Sequence, residues 1–115
     1  MPNLGYPAID VRKIQDKIVE QGEVEYPDIE EIALEQAGYK YHVLYITAQY
    51  TTSTYSTIVW VSEDGGSTWI KVLELKSLER AMIAISKTCT HVKIDTSPGG
   101  PNVYYVLLEK TGYTV

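Results

Sequence analysis

The chain has 115 residues, a net charge of −5 and a 44% hydrophobic fraction, which describe one globular domain large enough to bury a core. Residues 1–40 carry nine acids against four bases and the remainder balances at six of each, so no basic stripe is present to displace counterions from nucleic acid or to hold an anionic membrane. Cys89 is the single cysteine, which excludes an intrachain disulfide, and one thiol with the distant His42 and His91 makes no zinc site.

Taken in chain order, residues 1–8 hold two prolines and a glycine and predict an extended arm. Met1-Pro2-Asn3-Leu4-Gly5 lacks the basic start and apolar centre of a signal peptide, so the expectation is cytoplasmic synthesis without export by the usual route. Two short acidic helices are predicted over 9–38. Val11, Ile14 and Ile18 share one helical face with Gly22 as the stop, and Asp28 three residues before Glu31 resembles a capping box. From 39 to 115 the apolar period becomes two, which predicts a β-sandwich. Six strands are expected: Tyr41–Tyr50, Tyr55–Ser62, Thr68–Leu75, Arg80–Lys87, His91–Thr96 and Asn102–Lys110; Arg80–Lys87 also fits a helix, and the alternation of Ile83 and Ile85 favours strand. The last is apolar on both faces, as in a strand inside a sandwich or covered by a partner. Ser97-Pro98-Gly99-Gly100-Pro101 is the strongest breaker. The expected fold class is therefore α+β and mainly β: an antiparallel, jelly-roll-like sandwich behind an arm and two helices. No apolar run reaches membrane-spanning length.

Ser62-Glu63-Asp64-Gly65-Gly66-Ser67-Thr68-Trp69 is a hairpin signature, because Asp-Gly-Gly tolerates positive φ and β-formers flank it. Its S-x-D-x-G-x-x-W pattern resembles the Asp-box, a structural hairpin of sialidases and other secreted β-proteins, with Ser62, Asp64, Gly66 and Trp69 at the matching positions. The resemblance implies a turn organised by the Asp64 carboxylate with Trp69 packed beneath it, and no sialidase activity. Through "VSEDGGSTWIKV" and "THVKID" the chain also resembles galactose-binding-like jelly rolls and small β-sandwich domains of phage virion proteins.

Nothing in the pattern assembles a reaction centre. Glu63, Asp64 and Asp95 are not placed as a pair across a sugar cleft. Cys89 has no local His or Asp partner and reads as a buried, inert thiol. Ser97–Pro101 lacks the lysine and spacing of a phosphate loop, and Asp28–Glu35 lacks a calcium-loop pattern. The expectation is a non-enzymatic structural protein without cofactor or metal. By the virion resemblance, it would be a capsid decoration, capsid-associated or tail protein, made in the host cytoplasm and located in the virion. Its partners would be other protein subunits, as a homo-oligomer or in a capsid or tail lattice, with no direct contact to nucleic acid or membrane. Ten tyrosines, two tryptophans and no phenylalanine suit half-exposed contact faces. The candidate interface residues are Leu4, Tyr6, Tyr41, Tyr45, Tyr50, Tyr104, Tyr105 and Tyr113. The alternative is a carbohydrate-binding module in which Trp60, Trp69 and the tyrosines form a sugar-stacking platform.

Overall fold

The computed structural model describes residues 16–35 and 40–111. They form eight strands: β1 (Asp16–Val24), β2 (Ile29–Ala33), β3 (Lys40–Ala48), β4 (Thr57–Ser62), β5 (Ile70–Leu75), β6 (Arg80–Ile85), β7 (His91–Asp95) and β8 (Val103–Thr111). Two antiparallel four-stranded sheets result, ordered β1-β8-β3-β6 and β2-β7-β4-β5. The pairs β1–β8, β2–β7, β3–β6 and β4–β5 are those of one long hairpin with its tip at the β4–β5 turn. Successive pairs of that hairpin alternate between the sheets, and the β3–β8 and β4–β7 ladders complete each sheet. This is the wiring of an eight-stranded jelly roll.

The core lies between the sheets and follows the period-two pattern. Leu44, Ile46 and Ala48 of β3 and Val103, Tyr105 and Leu107 of β8 face Val59 and Val61 of β4, Val92 and Ile94 of β7, and Ile32 and Leu34. Leu44, Val59, Val92, Ile94, Val103 and Leu107 are wholly buried, and each contributes about 1.5–3 kcal/mol of transfer free energy. β8, apolar on both faces, runs between β1 and β3.

The two predicted helices are corrected to strands. The first overlaps β1, and the second overlaps β2; Val11 and Ile14 lie outside the described residues. Helix periodicity was carried by a few residues, and pairing with distant strands overrides so weak a preference. Gly22 does not stop a helix. It sits opposite Tyr105, whose ring would lie 3.9 Å from any added Cβ. Asp28 is tied to β7 instead of capping, its carbonyl accepting from the Thr96 N–H at 3.2 Å and the Thr96 hydroxyl at 2.7 Å. Glu30, Ile32 and Leu34 alternate toward the interior, and the i, i+3 pair Ile29 and Ile32 falls on opposite faces of β2.

The breaker at Ser97–Pro101 closes one end of the sandwich. Gly99 holds φ 109°, and Gly100 is buried against the start of β4. The Thr57 hydroxyl donates to the Pro101 carbonyl at 2.5 Å, and the Ser53 hydroxyl to the Gly99 carbonyl at 2.6 Å.

Candidate functional site: the outer face of the β1-β8-β3-β6 sheet

Because successive residues of a strand point to opposite faces, the register fixes what the first sheet shows to solvent. Three rows cross it from β1 to β6: Glu23–Tyr104–Thr47–Arg80, Gln21–Val106–Tyr45–Met82 and Ile18–Leu108–Val43–Ala84. Tyr104 is 54% exposed, Met82 62%, Ile18 52% and Tyr45 39%, with Val106 and Leu108 half-buried among them. Shallow hollows of about 440 and 330 Å³ lie on either side of the sheet's centre. The first is lined by Gln21, Glu23, Tyr104 and Val106, the second by Tyr45, Thr47, Arg80 and Met82. A contiguous apolar face rimmed by charge at both edges has the composition of a contact surface.

Of the tyrosines singled out from sequence, Tyr45 and Tyr104 stand exposed on this face, and Tyr41 is half-buried on it. Tyr50 is exposed in the β3–β4 loop, where with Tyr26, Thr51 and residues 99–102 it lines a hollow of about 360 Å³. Tyr105 belongs to the core at 5% exposure and offers no contact surface. Leu4, Tyr6 and Tyr113 lie outside the described residues. Sequence reasoning missed Met82 and Arg80. The signal was there: Arg80, Met82 and Ala84 alternate with Ala81, Ile83 and Ile85, and only the latter set faces inward.

The hairpin residues Ser62, Asp64, Gly66 and Trp69 come together at the β4–β5 tip. The Asp64 carboxylate accepts from the Ser62 hydroxyl at 2.8 Å, the Thr68 N–H at 2.9 Å and the Thr68 hydroxyl at 2.6 Å. The Thr68 hydroxyl and N–H and the Ser62 hydroxyl hold its carboxyl well below the usual range, at about 2. The Ser62 hydroxyl oxygen accepts from the Gly66 N–H at 2.8 Å, and Gly65 and Gly66 take φ 78° and 96°. A carboxylate so engaged is ionised at neutral pH and unsuited to proton transfer.

Trp60 lies on the opposite sheet, in β4, and Trp69 immediately precedes β5. Trp60 alternates outward between buried Val59 and Val61. The Lys93 ammonium sits 5.7 Å from its ring centre and 4.2 Å from that of Trp69, while His91 meets Trp69 edge-on at 6.5 Å. The cation covers both rings. Tyr45 and Tyr104, on the other sheet, do not join Trp60 and Trp69 in one stacking platform.

Titratable groups inside the sandwich are structural in their contacts. Tyr105 donates to Glu20 of β1, and Glu20 is hydrogen-bonded to Glu30 of β2, which joins the edges of the two sheets. The hydrogen bond to Glu20, followed by burial and the Glu20 charge, raises Glu30 to about 7. His42 Nε2 lies 4.0 Å from the Glu109 carboxylate within the first sheet, both side chains buried. Burial pushes the Cys89 thiol up. No group of three or more His, Cys, Asp or Glu able to hold a metal ion occurs among the described residues, and no helix among them is long and apolar enough to cross a membrane. Compared with protein-family models, curated proteins and solved structures, the chain matches none.

Proposed function

We propose that this protein is a non-enzymatic structural protein that works through protein–protein contacts, and that its place is in a virus particle, as a capsid decoration, capsid-associated or tail component. The observation that carries the contact reading is the outer face of the β1-β8-β3-β6 sheet. There Ile18, Tyr45, Met82 and Tyr104 remain exposed beside Val106 and Leu108. Tyrosine and methionine are enriched in contact faces, and the first turn of the reading to other subunits follows from that chemistry. The virus particle is supported by the jelly-roll wiring, which recurs in viral capsid domains; lectins and cupins share it, so the wiring narrows the class without selecting a member. The division of the aromatics between opposite sheets, with Lys93 laid over the tryptophans, favours assembly over a sugar platform.

The test is the mass of the full chain by light scattering after size exclusion, over a wide concentration range. A defined oligomer or progressive growth supports assembly. A monomer at every concentration, combined with a glycan-dependent change in tryptophan fluorescence, would replace it with the binding-module reading.

A further inference from the structure

The exposed face has a charge pattern that specifies what fits on it. Of its three full rows, the first begins with an acid, Glu23, and ends with a base, Arg80, and the other two carry no charge from Ile18 and Gln21 through to Ala84 and Met82; a partial fourth row beyond them sets Asp16 and Lys110 beside Tyr41. Glu23 accepts one hydrogen bond, from the Gln49 side chain at 2.5 Å. Arg80 is exposed and makes no ion pair with any described residue.

Resting on the assembly reading, we propose that this face binds a second copy of the chain, face to face, about a two-fold axis parallel to the strands and midway between β8 and β3. That axis reverses the order of each row over itself. Glu23 then meets the partner's Arg80, Arg80 meets the partner's Glu23, Val106 meets the partner's Tyr45, and Met82 stands over the hollow lined by Gln21, Glu23, Tyr104 and Val106. Two ion pairs close opposite edges of an apolar centre, as an isologous contact requires. The other two-fold axis in the plane of the face, perpendicular to the strands, sets Glu23 against Ile18 and Arg80 against Ala84. It buries two charges against apolar groups and is rejected on that cost. Sheets packed face to face keep their strands within about 30° of one another, which either axis satisfies, so the charges decide between them. The face spans about 15 Å across four strands. A face this narrow buries little area, so association is expected to be concentration-dependent.

The experiment is sedimentation equilibrium of the full chain as wild type, Glu23→Arg, Arg80→Glu and the double exchange, each checked for native circular dichroism. The wild type is expected to approach twice 12.9 kDa as concentration rises. Each single exchange, placing like charges together, is expected to weaken association at least tenfold, and the double exchange to restore it to within about threefold of wild type. Association indifferent to the single exchanges, or not restored by the double one, would overturn the pairing and leave the assembly reading standing. A wild type that stays monomeric throughout would overturn the pairing of two copies and leave the assembly reading to contacts with other subunits.

Discussion

Gly100 is the position where one added carbon should do most harm. A Cβ there would lie 2.2 Å from the Thr57 nitrogen, 2.3 Å from the Ser56 carbonyl carbon and 2.5 Å from the Ser56 oxygen, against 3.4 Å or more in ordinary contact. All three atoms are backbone, so no side chain can rotate away, and the 97–101 turn must move off the start of β4 by about 1 Å. Overpacking of this kind costs about 1–3 kcal/mol. The displacement also breaks the Thr57 hydroxyl bond to the Pro101 carbonyl, where both residues are buried. A buried carbonyl left without its donor adds about 1–2 kcal/mol. Gly100→Ala is therefore expected to lose about 2–5 kcal/mol in urea unfolding, with an unchanged m-value. The control is Gly65→Ala. Gly65 has φ 78° but nothing within 4 Å of an added Cβ, so only left-handed strain of about 1–2 kcal/mol remains. A Gly100→Ala variant within about 1 kcal/mol of wild type, or less damaging than Gly65→Ala, would refute the close approach of the 97–101 turn to β4.

Three further outcomes follow from named contacts. Ser62→Ala removes the acceptor of the Gly66 N–H and a donor to Asp64 inside the hairpin tip, and is expected to cost about 1–3 kcal/mol by thermal or urea unfolding. Glu30 holds its proton up to about pH 7 when folded, against an ordinary value of 4.5, so its contribution is complete below pH 4.5 and is lost as pH rises through 7. Glu30→Gln should flatten the stability–pH curve across that window, with a change of about 1 kcal/mol after solvent screening; an unchanged slope would contradict the Glu20–Glu30 contact. The Cys89 thiol is 4% exposed and its ionisation is disfavoured by burial, so a thiol reagent at pH 8 should react only as fast as the chain opens, and at once in denaturant.

The strands from β3 onward were legible because their inward residues alternate without interruption, as in Val92 and Ile94 or Leu44, Ile46 and Ala48. β1 and β2 were not. β1 is an edge strand whose alternation is broken by a bulge at Val19, and its partner β8 begins 79 residues after β1 ends. In β2, Ile29 and Ile32 fit a helical stripe as readily as two faces of a short strand, and only the ladder to β7 decides between them. The hairpin tip could be read because its hydrogen bonds are local: Ser62, Asp64, Gly66 and Thr68 lie within one turn. The outer face could not, because Glu23, Tyr104, Thr47 and Arg80 become one row only through three ladders joining four separate strands. Tyr105 shows the same limit. Its neighbour Tyr104 has the same chemistry, and one step of register sends one ring to solvent and the other to the core.

If the outer face of the β1-β8-β3-β6 sheet is the contact surface, hydroxyl-radical footprinting of the full chain at low and high concentration will show it protected. Labelling of Met82, Tyr45 and Tyr104 is expected to fall together as concentration rises, while Tyr50 and Tyr55 in the β3–β4 loop keep their dilute-solution rates. Undiminished labelling of Met82, Tyr45 and Tyr104 in a sample that has associated would contradict it.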